Sequence, residues 1–300
     1  MIGKYIVSGR LQAISAITLS TLVSIFLLPN EFIYLINPLS YLISGSVVSL
    51  ITLRKGGLYA LQALVLSWFI LLVLSVAVER STQEILIIWL PILFLSAILR
   101  SSKNQGTLIF FTGLTTIVFY LIIGDLSGWW NEGLSIVFEQ ALQPEHLDAY
   151  KLVSDSMAKL MNTLVMFYIL ITILFARWWQ SRLFNPGGFR KEFYALRIPK
   201  IVLPVFVVAV ILAFIAVDLR QDIFRDILPI FIFMYLIQGL SFAHRTIDKL
   251  KLSVSWLIIM YCLLILPWSG AIMSLIISCL GIVDTISEWH NKNKGSEKES

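Results

Sequence analysis

Residues 58–78, "LYALQALVLSWFILLVLSVAV", carry no charged side chain in twenty-one positions. A helix crosses ~30 Å of hydrocarbon with about 20 residues, so this stretch reads as a membrane span. The same signature recurs on both sides of it. Candidate spans precede it at Leu11–Leu28 and Phe32–Leu53, and follow at Ile85–Leu99, Thr107–Ile123, Leu160–Ala176, Ile201–Val217, Ile227–Ala243, Val254–Pro267 and Ala271–Ile286. The runs are continuous, unlike the alternating ~10-residue segments of a transmembrane β-barrel. Several are short, so the expected fold is an all-α, polytopic transmembrane helix bundle of eight to ten spans. "PWSG" at 267–270 joins the last two, which read as a hairpin, one long kinked helix or a re-entrant pair. The first run ends at "LPNE", exceeds the ~7–15 residues of a secretory apolar region and lacks a small-residue cleavage site. It reads as an uncleaved span.

Composition agrees. Of 300 residues 58% are hydrophobic and 14% charged, against about 25% charged in an ordinary soluble domain. The mean hydropathy is +0.86. A soluble core cannot hide this much apolar surface; a bilayer can. The formal charge of +5 does not point to nucleic acid, because the basic residues lie in short loops and form no extended face. Cys262 and Cys279 fall in apolar segments without CxxC or other metal spacing.

Lys and Arg near span ends set orientation. With the N terminus inside, cytoplasmic segments hold 18 of them and outer segments 5. Both termini are therefore expected in the cytoplasm. The chain reads as one integral membrane domain over residues 1–290. It has an outer loop at 124–159, a cytoplasmic loop at 177–200 and a disordered cytoplasmic tail at 291–300. The expected location is the bacterial cytoplasmic (inner) membrane.

The cytoplasmic loop, "RWWQSRLFNPGGFRKEFYALRIPK", concentrates six basic residues. Trp178 and Trp179 follow Arg177 just past the span, where amphipathic rings favour the headgroup level. Asn185, Pro186, Gly187 and Gly188 form turn chemistry: Pro186 fixes φ, and Gly187 tolerates the positive φ of a type II turn. Phe189, Phe193 and Leu196 then recur at i, i+4 and i+7, with Arg190, Lys191 and Arg197 elsewhere, as in an amphipathic helix on the inner surface. A lipid anchor accounts for the rings and charges. The rigid turn points further, to a cytoplasmic interaction surface that includes Phe189, Arg190 and Phe193.

The outer loop begins "GDLSGWWNEG" and contains two helical patterns broken at Pro144. They read as a lid or as interfacial packing. Asp125, Trp129 and Trp130 there, with Gln62 and Gln238 in the spans, are the ligand-binding candidates. Intramembrane polar groups are expensive and face a cavity or a partner helix, and Gln62, Asn162, Gln238 and Asp284 fit either use. Ala16, Ser20 and Ser24, four apart, form a ridge that lets another helix approach closely.

No catalytic constellation is present. His146, His244 and His290 lack metal-ligand spacing, and there is no P-loop, nucleophile elbow or dinucleotide fingerprint. The expectation is no enzyme, no metal and no cofactor.

"ARWWQSRLFNPGGFRKEFYALRIPK", "QGLSFAHRTIDKLKLSVSWLIIMYCLLIL" and "GIVDTISEW" resemble the YybS-like integral membrane proteins, a bacterial family of unknown function. The resemblance implies a fold similar to the S components of energy-coupling-factor transporters, which hold a small molecule near the outer face. Two functional readings follow. One is a small-molecule-binding, S-component-like transport subunit; the alternative is a non-transporting scaffold or assembly factor acting through its basic loop. The expected partners are the lipid bilayer, another membrane subunit or cytoplasmic protein, and in the first reading a small-molecule ligand.

Overall fold

The computed structural model describes residues 2–26, 33–78, 83–123, 160–215 and 223–296. Every regular element among them is an α-helix: α1 Ile2–Ile6, α2 Arg10–Phe26, α3 Ile33–Lys55, α4 Gly57–Val78, α5 Gln83–Ser102, α6 Gln105–Ile123, α7 Met161–Phe184, α8 Gly188–Tyr194, α9 Val202–Ile215, α10 Ile223–Lys249, α11 Ser255–Ile265 and α12 Pro267–Ser296. Over its described residues each of the ten expected spans falls largely within one helix. Among the described residues six helices are long and apolar enough to cross a membrane, namely α4, α5, α6, α7, α10 and α12. Shorter apolar helices cover Arg10–Val23, Val202–Ile215 and Ser255–Ile265. The protein is thus an all-helical, multi-span membrane protein that contacts the bilayer. The eight to ten spans read from sequence include the shorter helices as well.

The described helices cluster into two compact units, Met1–Lys103 with Val118–Phe189, and Asn104–Ile117 with Arg190–Ser300. In unit 1, α3 is the hub and packs on α2, α4, α5 and α7. Its buried residues include four small hydroxyls, Ser44, Ser46, Ser49 and Thr52, among Val48, Leu50 and Ile51. Ser49 accepts from Ser96 Oγ at 2.7 Å, Ser44 accepts from Trp89 Nε1 at 3.3 Å, and Ser46 donates to the Thr172 carbonyl at 3.4 Å. Lipid offers little hydrophobic drive between helices, so close packing and such bonds do the joining. The Arg100 guanidinium donates to the Leu53 carbonyl at 2.7 Å, a cation against the negative end of α3.

The ridge read at Ala16, Ser20 and Ser24, open to a helix of this fold or of a partner subunit, is not the most buried stripe of α2 within the chain. Ala13, Ile17 and Thr21, also four apart, are the buried residues, while Ala16 and Ser20 are half-buried. The side chain of Ser24 lies outside the described set. Four-residue spacing marks two adjacent stripes here, and spacing alone does not say which of them is buried.

Unit 2 is organised around the pairing of α10 with α12. A Cβ built on Gly239 would lie 1.9 Å from the Ile277 carbonyl oxygen, and one on Gly281 would lie 2.3 Å from the Tyr235 carbonyl oxygen. Only glycine on each helix permits this reciprocal approach of backbone to backbone. Leu266, with ψ 132°, breaks the chain before Pro267, because proline disfavours the helical region for its predecessor. α11 then folds back along α12, with Met260 and Leu264 packed around Ile277 and Met273. The "PWSG" junction is therefore a helical hairpin, with Pro267 opening α12. α12 runs to Ser296, past residue 291 where the expected tail begins.

Candidate functional site

The basic loop divides between the units at Phe189. Its first half belongs to unit 1. α7 does not stop at Ala176 but continues to Phe184, so Arg177, Trp178 and Trp179 are helical residues rather than a loop. Arg177 donates to Gln180 one turn on. Trp178 is exposed and stacks on Phe175 at 5.6 Å. Trp179 is half-buried and, with Leu183, covers Gly3 of α1. The turn is as read from the sequence. Gly188 N–H donates to the Asn185 carbonyl at 3.0 Å, and Gly187 has φ 82°, the hydrogen bond and backbone of a type II turn with Pro186 at its second position. Buried Ser181 secures both sides of it. Its hydroxyl donates to the Asn185 carbonyl at 2.8 Å and accepts from Phe189 N–H at 3.0 Å. The tip itself, Asn185 to Gly187, is exposed.

The second half belongs to unit 2 and is held more tightly than its composition suggests. The helix α8 ends at Tyr194, so Leu196 is not on a helical face. It lies in the following segment and is fully buried. Pro199 sets the extended course of that segment by restricting Ile198. Ser241 donates to the Phe193 carbonyl, and Arg245 donates to the Tyr194 carbonyl at 2.8 Å. Gln238 Oε1 accepts from Ile198 N–H at 3.0 Å. Arg190 pairs with Asp248 at 2.7 Å, and its guanidinium is raised above its usual value by Tyr194 first and then by Asp248. The gripping residues Gln238, Ser241, Arg245 and Asp248 follow one another at intervals of three and four along one face of α10. Phe193 meets the His244 ring edge-to-face at 5.5 Å, and His244 lies 5.8 Å from the Tyr261 ring.

Behind this strap, Asp284 of α12 collects charge. Its side chain is 3% exposed; it accepts from Arg245, and Arg197 Nε lies 3.5 Å away. Arg197 also reaches Glu288 at 3.6 Å, one turn further along α12. Gln238 Nε2 completes the set, 3.2 Å from Asp284, 3.0 Å from Thr285 Oγ1 and 3.2 Å from the Gly281 carbonyl. The carboxylate is neutralised by two guanidiniums and the amide is saturated. Chemically the arrangement locks a backbone segment in place, with its charges turned on one another.

The ligand candidates do not converge. Asp125, Trp129 and Trp130 lie outside the described residues. Gln62 is exposed on α4 in unit 1, and Gln238 is buried in unit 2. Sequence reading singled out Gln238 and Asp284 but missed Ser241, Arg245, Thr285 and Glu288. The polar stripe on α10, running up to the last turn of an apolar helix, was the signal available for the first two of these. Thr285 and Glu288 needed the helix pairing.

Residues 139–285 match a family described as predicted membrane protein (DUF2232), an uncharacterised membrane family. The matched segment ends beside the Asp284 network and contains the whole basic loop. No curated protein and no solved structure matches the chain.

Proposed function

We propose that the protein is a scaffold of the bacterial cytoplasmic membrane, with both termini and residues 177–200 on the cytoplasmic side, that recruits a cytoplasmic partner or another membrane subunit through this basic loop. The observation that carries the reading is the strap from Phe193 to Ile198, fixed to α10 and α12 through both backbone and side chains. A lipid anchor gains nothing from a fixed backbone, since charge near an anionic surface acts without defined geometry. A docking surface does gain, because ordering it beforehand removes that cost from binding. Lys191 and the turn tip remain exposed for contact. The S-component-like reading requires a ligand cavity near the outer face, and Gln238, engaged in internal hydrogen bonds, lends it no support.

Two experiments test the proposal. Single cysteines at Ser135 and Ser296 should differ toward an impermeant thiol reagent in intact cells, with Ser135 alone labelled. A photoreactive residue at Lys191 should crosslink to one defined protein, and the product should disappear when Asn185–Gly188 is replaced by four serines. Crosslinks to lipid alone would reduce the loop to an anchor.

A further inference from the structure

Unit 1 contains a half-open groove of about 450 Å³ between α2 and α4, lined by Arg10, Ile14, Tyr59, Gln62, Val65 and Leu66 among others. Both helices begin at the same end of the groove and run along it. Its chemistry is graded. Arg10 and Tyr59 stand at the helix starts, with the guanidinium over the ring at 5.8 Å, and Gln62 follows one turn deeper. Ile14, Val65 and Leu66 lie beyond, so that Tyr59 to Leu66 spans about 10 Å along the axis. Ala63, which is buried, also lines the groove, and nearby Ser67 ties the two helices together by donating to the Ile14 carbonyl at 3.2 Å.

The polar end is unsatisfied in a particular way. Arg10 has no ion-pair partner and Gln62 no hydrogen-bond partner among the described residues. Arg10 also occupies the first turn of α2, where the helix dipole makes a cation unfavourable and an anion favourable. An exposed glutamine among lipid-facing leucines carries a cost unless something polar meets it. An anion with an apolar tail answers each of these features. The mouth lies within the first two turns of both helices, and the end of a membrane-crossing helix is where headgroups are met.

We propose that this groove is a binding site for one anionic phospholipid, with its phosphate on Arg10 and Gln62 beside the Tyr59 ring and an acyl chain along Ile14, Val65 and Leu66. The site does not depend on the scaffold reading. Bulk attraction of anionic lipid to basic residues is diffuse, whereas this site requires both the charge and the open groove.

The test is native mass spectrometry of the full-length, delipidated protein titrated with phosphatidylglycerol or phosphatidylcholine of identical acyl chains. One phosphatidylglycerol should bind about five- to tenfold tighter than phosphatidylcholine, the scale of one Arg near an anionic group. Arg10→Gln should remove that preference and Arg10→Lys restore most of it. Val65→Trp fills the groove at an exposed position with no change of charge, and should weaken both lipids. Lys55→Gln, which removes a charge outside the groove, should change nothing. Thermal melting of each variant confirms that it is folded. Equal affinity for the two lipids, or retention by a folded Val65→Trp protein, overturns the site. Displacement by millimolar inorganic phosphate would make it a free-phosphate site and overturn the lipid assignment.

Discussion

In unit 1 the described side chains by which α3 bonds to neighbouring helices are uncharged hydroxyls, each meeting another hydroxyl, an indole or a carbonyl. In unit 2 the corresponding groups are a buried carboxylate, two guanidiniums and an amide converging where α10 and α12 meet the basic loop. The two solutions fail differently. A lost hydroxyl in unit 1 leaves a neighbour that can turn back to its own helix, as Thr52 already does by donating to Val48 O at 2.8 Å. A lost member of the Asp284 group leaves charge without a partner. Unit 1 is therefore tolerant and distributed, whereas unit 2 is concentrated at one place that also holds the proposed docking strap.

The comparison is sharpest at glycines. Gly281→Leu should prevent stable folding, because its side chain would start 2.3 Å from the Tyr235 carbonyl and 2.9 Å from Gly239 N, both backbone atoms that cannot yield. Even Gly281→Ala should cost at least ~3 kcal/mol, the upper range of overpacking. In unit 1, Gly45→Ala meets the Ile92 Cδ1 and Thr172 Cγ2 methyls at 2.7 and 3.0 Å, and side chains can move. Denaturant titration in detergent should show a small shift for Gly45→Ala and a collapse for Gly281→Ala. Similar shifts for both would remove the distinction.

Next in size is Asp284→Ala. It strands Arg245, whose side chain is 25% exposed, and removes one of the two acids facing Arg197. Removing one member of a buried pair costs about 3–5 kcal/mol, toward the low end here because Arg197 can turn to water. Pairing Asp284→Ala with Arg245→Met should recover much of the loss, since no unpaired charge then remains. Proteolysis between Arg190 and Lys200 should accelerate in the single variant, because the strap is released. Unchanged protection of that segment would separate the ion network from the loop.

Much of this was legible beforehand. Each expected span is a helix over its described residues because a long apolar run leaves the backbone no choice but to satisfy itself internally, and Pro186–Gly187 dictated its turn locally. The misreadings came from what local pattern does not encode. Leu196 fits a helical period with Phe189 and Phe193, yet α8 ends at Tyr194 and the following segment, held by α10, is not helical. Ala16 and Ser20 looked like the close-packing stripe, yet the neighbouring Ala13, Ile17 and Thr21 are the more deeply buried. The partners of Asp284 come from residues 39 to 87 positions away in the chain, a juxtaposition created by tertiary packing alone.

Within unit 2 not every buried amide resembles Gln238. Gln105, at the start of α6, is 1% exposed, and neither atom of its amide has a hydrogen-bond partner among the described residues. Burying an unpaired amide costs about 1–3 kcal/mol. Gln105→Leu should therefore leave stability unchanged or raise it by ~1 kcal/mol, whereas Gln238→Leu, which orphans Ile198 N–H, should lower it. A destabilising Gln105→Leu in the same detergent melt would mean that this amide has a partner of its own.

The smallest expected effect belongs to the hydroxyl pair of unit 1. Ser49 and Ser96 are both fully buried, and their 2.7 Å bond joins α3 to α5. Their coupling in a double-mutant cycle should be about 0.6 kcal/mol, the average for such bonds in a membrane protein. Two reasons keep it low. The unfolded chain in a bilayer also finds partners for its hydroxyls, and either serine left alone can donate to a carbonyl one turn back, as Ser67 does to Ala63 O at 2.8 Å. Ser49→Ala, Ser96→Ala and the double variant should accordingly melt within a narrow band, with the double close to the lower single. A coupling near 3 kcal/mol would place unit 1 in the same concentrated class as the Asp284 network and erase the contrast between the two units.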